Sequence, residues 1–152
     1  MTENKAMQTK YIFEKAKHYC TYQERSVFEV KNKLQAWNVR PEVALKVIKS
    51  LEEENYLNEE RFARVFAGGK FRIKKWGRNK IIAELRAKRI PDLIIQIGLD
   101  EIDEYEYEKA LRAVIEKKRS SFDSPESYIN RNKIYNFVLS KGYEKYLILK
   151  YL

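Results

Sequence analysis

The chain has 152 residues, 44% of them hydrophobic, with one cysteine, three prolines, five glycines and a formal net charge of +9. That apolar share is enough for a packed core and argues against a disordered chain. The lone Cys20 excludes an intramolecular disulfide, and no run of about 18 apolar residues is available to span a membrane.

Few prolines and glycines beside recurrent Lys, Glu, Leu, Ile and Ala predict an all-α protein. The opening MTENKAMQTK lacks the apolar segment of a secretory signal. Residues 1–7 are expected to form a flexible tail in a cytoplasmic protein, a compartment that suits an unpaired cysteine. Helices are then predicted at 8–21, 25–37 and 41–55, with Pro41 in a first turn where no N–H partner is needed. Asn58 caps a fourth helix whose first turn holds Glu59 and Glu60, favourable for the helix dipole. Gly77 breaks the chain before a helix at 78–89, and Pro91-Asp92 opens another that runs to about residue 102. Helices at 104–119, 125–141 and 144–152 follow, interrupted by the loop SSFDSP and by Lys141-Gly142, which reads as a left-handed cap.

The apolar pattern repeats. A shift of 51 residues pairs Val30 with Ile81, Leu34 with Leu85, Ala36 with Ala87, Val39 with Ile90, Val43 with Ile94 and Ile48 with Leu99. A further shift of 53 reaches Ile134, Val138, Ser140, Tyr143, Leu147 and Leu152, while Ala16, Ala63 and Ala110 align at a shift of 47. A period near 50 residues carried through three helices is the mark of a tandem array. The expected fold is therefore three tandem three-helix repeats, 8–57, 58–103 and 104–152, in an elongated, curved array of one monomer.

The positive charge sits in one window. Between Glu60 and Arg89 lie eleven Lys or Arg and two acids, a balance of +9 that equals the whole chain's net charge and leaves the remainder neutral. Phe62, Val65, Phe66, Ile81, Ile82 and Leu85 are assigned to the middle core. Arg64, Lys70, Arg72, Lys74, Lys75, Arg78, Lys80 and Arg86 are left as a basic face, free of that core, for a polyanionic partner. The acidic run Asp100 to Glu108 is the alternative destination of that charge, an intramolecular counterweight.

Other chemistries find little support. His18 and Cys20 are each unique, which leaves no Cys/His metal cluster or nucleophile pair. Gly68-Gly69-Lys70 lacks the GxxxxGK[ST] pattern of a phosphate loop and marks a close helix contact or a helix end, at about 2 kcal/mol relative to alanine if it stays helical. A helix-turn-helix reader needs basic or amide side chains on its recognition helix, yet the corresponding segment reads PDLIIQIGLDEID. Trp76 is assigned to the core in preference to base stacking. Catalysis by carboxylates such as Glu84 is the weakest alternative.

The stretch YLNEERFARVF followed by WGRNKIIAELRAKRI resembles the RecX family of bacterial regulators of the RecA recombinase. The matching positions are Arg61, Phe62, Ala63, Gly77, Ile81, Glu84, Leu85 and Ile90, next to Trp76. Gly68-Gly69 stands where family members keep a regular helix. The resemblance implies a non-enzymatic, cofactor-free protein that binds RecA and its filament on single-stranded DNA. It implies depressed filament growth, ATPase and recombinase activity, within DNA repair, homologous recombination and the SOS response. A nucleic-acid binding module acting without RecA is the competing reading, and weak direct DNA binding is compatible with either.

Overall fold

The computed structural model describes residues 2–152 and contains, among them, nine α-helices and no strand. In chain order these are α1 (Thr2–Tyr22), α2 (Val27–Ala36), α3 (Pro41–Glu53), α4 (Glu59–Lys74), α5 (Arg78–Ala87), α6 (Asp92–Leu99), α7 (Glu104–Arg119), α8 (Tyr128–Ser140) and α9 (Lys145–Tyr151). Each helix packs mainly against the other two of its own group of three.

Local chemistry explains the helix ends. Ser26 and Glu29 form a capping box, with the Ser26 hydroxyl accepting from the Glu29 N–H and the Glu29 carboxylate accepting from the Ser26 N–H at 2.9 Å. Asn58 and Asp103 cap α4 and α7 by accepting the N–H of Arg61 and Glu106. The amino-terminal segment differs from expectation. Nothing in it breaks a helix, and α1 extends back to Thr2, so residues 2–7 are helical and only residue 1 of the expected tail lies outside the described residues.

The repeat is visible in burial and in backbone angle. Val30, Ile81 and Ile134 are buried, as are Leu34, Leu85 and Val138, whereas Ala36, Ala87 and Ser140 are exposed in all three groups. The turn between second and third helices places Asn38, Arg89 and Gly142, which are the same repeat position, at positive φ of 59°, 61° and 101°. In the first two turns the next N–H bonds back to the preceding helix, Val39 to the Leu34 carbonyl and Ile90 to the Leu85 carbonyl.

The two glycines of α4 do neither thing expected of them. The helix runs through them to Lys74, and the atoms nearest a Cβ at Gly68 would be those of the Arg72 guanidinium on the same helix, while one at Gly69 would meet nothing within 4 Å. The close helix contact lies elsewhere, where a Cβ at Gly98 on α6 would come within 2.8 Å of the Ala63 carbonyl oxygen on α4. That contact buries α6 against α4, which fits its lack of basic residues.

There are two cores. Val30, Leu34, Val47, Leu51 and their neighbours form one inside α1–α3, while a second runs without interruption from Phe62 and Leu85 to Tyr107, Val138 and Ile148 across α4–α9. The junctions differ accordingly. Between α1–α3 and α4–α6 the contacts are charged: Arg61 Nε lies 2.5 Å and 2.7 Å from the Glu24 carboxylate oxygens, Lys88 pairs with Glu29 at 3.4 Å, and the Val27 N–H donates to Glu59. Between α4–α6 and α7–α9 the backbones touch. The Gly77 N–H donates to the Lys141 carbonyl at 2.8 Å and the Asn79 N–H to the Gly142 carbonyl at 2.9 Å. A Cβ on Gly77 would fall 2.3 Å from Gly142 carbonyl carbon, and one on Gly142 would fall 2.4 Å from Lys80 Cβ.

Helices stacked in series leave more surface than a sphere would. The accessible area is 10,005 Å², against about 8,100 Å² for a compact protein of 18.3 kDa. Small-angle scattering should give a radius of gyration clearly above the roughly 15 Å of a compact chain of this length; a value at or below that would contradict the serial arrangement. Leu85 is fully buried, and Leu85→Ala should cost about 2–5 kcal/mol in urea unfolding. Because the core is divided, hydrogen exchange should show faster opening across α4–α9 in that variant with α1–α3 unchanged. Uniform loss of protection would mean a single core.

Candidate functional site

The basic window occupies α4, its left-handed C-cap Lys75, and α5. The structure divides the eight face residues into two sets. Arg64 is exposed but paired with Glu60 at 2.8 Å and Glu101 at 3.1 Å, and Arg86 is exposed and paired with Asp92 at 3.1 Å. Lys70, Arg72, Lys74, Lys75 and Lys80 have no ion-pair partner among the described residues. Arg72, Lys74 and Lys75 are exposed, whereas Lys70 and Lys80 are half-buried.

Arg78 does not belong to a free face. Its guanidinium lies 3.9 Å over the Tyr107 ring and 2.8 Å from Glu104, and its Nε sits 2.8 Å from Glu144 but off the N–H axis, an ion-pair contact without a hydrogen bond there. Burial works against its charge, but Glu104, Glu144 and the Tyr107 hydroxyl outweigh it and hold its pKa above the usual arginine value. The Tyr107 hydroxyl in turn accepts from the Arg78 N–H at 2.9 Å and donates to Glu144, and the Tyr143 hydroxyl donates to the Lys75 carbonyl at 2.9 Å. Arg78 therefore holds α5 to α7 and α9. The sequence could not supply this, because the pairing depends on which helix follows in space.

The acidic run acts partly as the internal counterweight: Glu101 reaches Arg64 and Glu104 reaches Arg78. Trp76 is half-buried against the second core, with Lys80 4.6 Å and Lys70 5.1 Å from its ring and Phe66 edge-on at 6.3 Å. Such packing leaves little ring face for a base. Among the motif residues, Phe62, Ala63, Gly77, Ile81 and Leu85 are buried, Arg61 holds Glu24, and Glu84 is exposed. Val65, assigned to the core, is instead 53% exposed, because α4 turns it away from α6. Ile73, also on α4, is exposed too, and neither was read as surface.

Cys20 is buried, and burial pushes its thiol up to about 11, so the reactive thiolate is scarce near neutral pH. His18 is exposed on α1. Among the described residues no His, Cys, Asp or Glu grouping could hold a metal ion, and no helix is long and apolar enough to cross a membrane.

Residues 13–51 match the family model of the RecX first three-helix domain, and residues 58–99 match that of the RecX second three-helix domain. The chain belongs to the RecX family. It is 36% identical over 106 residues to the Regulatory protein RecX of Lactobacillus johnsonii, covering 70% of this chain and 39% of that relative. It is 28% identical over 146 residues to the RecX of Bacillus cereus, covering 95% of this chain and 53% of the relative. The chain thus spans about half or less of the length of these curated relatives. In fold it is similar to the crystal structure of RecX from Lactobacillus salivarius, with a TM-score of 0.85 at 24% identity, covering 96% of this chain and 95% of the other. The two family models cover α1–α6, and the alignment with the Bacillus cereus relative extends over most of the rest of the chain.

Two outcomes follow from the Arg78 cluster. Arg78→Ala leaves Glu104 and Glu144 without their cation and should cost about 1–3 kcal/mol in urea unfolding, whereas Lys74→Ala should stay within about 0.5 kcal/mol. Equal effects would mean that Arg78 is an ordinary surface residue. Burial raises the phenol pKa of Tyr107 and of Tyr143 above the ordinary value near 10. A folded pKa above the unfolded one gives stability that is present below about pH 10 and lost as pH rises through the folded value. Unfolding free energy should decline above about pH 10, and less steeply in Tyr107→Phe; an unchanged slope in that variant would remove Tyr107 as a cause.

Proposed function

We propose that the chain is a non-enzymatic regulator that binds RecA and the RecA filament on single-stranded DNA and depresses filament growth, ATPase and recombinase activity. The observation that carries this reading is the set of unpaired cations, Lys70, Arg72, Lys74, Lys75 and Lys80, gathered at the α4–α5 turn of a RecX family chain. Cations without an internal acid keep their attraction for an external anion, here acidic surface on RecA subunits or the DNA within the filament. Serial stacking supports the same reading, since an extended body can follow a filament groove. The protein acts in the cytoplasm, as a monomer and without a cofactor.

Binding to nucleic acid without RecA is favoured by the same lysines, because each phosphate contact releases counterions. The half-buried Trp76 argues for RecA, since it offers no stacking platform to single strands.

Lys70→Glu, Lys74→Glu and Lys75→Glu, two charge units each, lower the net charge from +9 to +3 without touching the Arg78 cluster. The triple variant should stay folded, though less stable through the lost Lys70–Trp76 contact and the acids at the end of α4, and lose inhibition of the RecA ATPase on single-stranded DNA; wild-type inhibition should weaken as salt rises. A folded variant that inhibits as well as the wild type would refute the assignment of this face. Loss of binding to bare DNA with inhibition retained would move these lysines to the DNA.

A further inference from the structure

Val65, Gly69 and Ile73 stand four residues apart on α4 and so form one outward stripe. Val65 is 53% exposed and Ile73 is 79% exposed. The other groups of helices provide an internal comparison. With Ala16, Ala63 and Ala110 as equivalent positions, the places of Val65 and Gly69 are taken by His18 and Tyr22 in α1 and by Arg112 and Glu116 in α7. Position 65 is therefore apolar where its siblings are His18 and Arg112, and α4 exposes aliphatic side chains where α1 exposes the amphipathic Tyr11 and Tyr22 and α7 exposes Tyr105. Gly69 adds a notch at the centre of the stripe. A Cβ there would meet nothing in the chain, so no internal contact calls for glycine, the residue with the poorest helix propensity after proline.

The stripe borders a groove of about 520 Å³ between α4 and the segment before α2. The acids on its far wall are already neutralised, Glu24 by Arg61 and Glu29 by Lys88. Its unpaired charges are Lys70 and Lys74, both positive. An occupant that complements this groove is apolar at its centre and acidic at its rim. Nucleic acid does not fit, because a phosphate backbone gains nothing from Val65 and Ile73 and would lose hydration against them.

The geometry points to the outward stripe of α4 as a docking surface for an acidic protein segment that lays an apolar side chain into the notch at Gly69. The inference rests on the function proposed above, in which that segment belongs to RecA, and it assigns the contact to protein in place of DNA. The basic rim steers the encounter and the apolar stripe holds the complex, so charge acts on the association rate and the stripe on the dissociation rate.

Two variants test this on the full chain with purified RecA, its filament on single-stranded DNA, and bare single-stranded DNA. Val65→Ser with Ile73→Ser places polar groups at exposed sites without changing the charge; Gly69→Ala fills the notch. The double variant should keep the wild-type melting temperature and bare-DNA affinity but lose at least about tenfold in affinity for RecA, mainly through faster dissociation. Gly69→Ala should raise the melting temperature, because alanine is the better helix former, while weakening binding to RecA. A solvated stripe gives the same rise in melting temperature with RecA affinity unchanged, and that result would overturn the proposal while leaving the lysine-dependent function standing. Parallel loss of RecA and bare-DNA affinity in the double variant would also overturn it, in favour of DNA contact. Failure of the wild type to bind RecA in any form would remove the underlying function, and the docking surface with it.

Discussion

Past α1, the helices of this protein are too short to stand alone securely. They run from seven to sixteen residues, near or below the length at which an isolated helix is marginal in water. Their stability comes from laying an apolar stripe against two partners of the same group, and from the group meeting its neighbour. That requirement accounts for the spacing of the sequence, the three-helix grouping and the division into two cores. It also accounts for the concentration of free charge, since the surface of α4 and α5 that meets neither core nor neighbour is where unpaired lysines can stay.

Much of this was legible because spacing reports which residues share a side. Val30, Ile81 and Ile134 share a repeat position and are buried; Ala36, Ala87 and Ser140 share another and are exposed. Gly142 was readable as a left-handed residue. Asn38 and Arg89, also at positive φ, were not, because a side chain disguises a turn that backbone hydrogen bonds nonetheless hold in place. The start of α1 was missed for the opposite reason, since a polar segment without an apolar stripe looks like a tail even when nothing in it breaks a helix.

The candidate site was legible in charge but not in pairing. Lys70, Arg72, Lys74, Lys75 and Lys80 are the unpaired remainder of a larger set, from which Arg64, Arg78 and Arg86 are withdrawn by Glu101, Glu104, Glu144 and Asp92. Those carboxylates come from segments whose position only the assembled helices define. Val65 was misplaced because hydrophobicity alone does not distinguish a side chain that faces the core from one that faces outward. Comparison with Arg112 and His18 at the equivalent positions held the needed signal.

The contact between Gly77 and Gly142 makes the angle between the second and third groups a matter of a single missing methyl group. Two constraints meet at Gly142: its φ of 101° lies well beyond the 59° and 61° that Asn38 and Arg89 adopt with full side chains, and Lys80 and Gly77 leave no room for a β-carbon. A β-carbon at either site would wedge the two groups apart at their fulcrum. Helix α8, whose far end lies about 20 Å away at 1.5 Å per residue, would act as a lever arm and magnify the displacement. The pitch of this molecule is thus set by excluded volume at one joint, while the joint at Arg61 and Glu24 is held by charge.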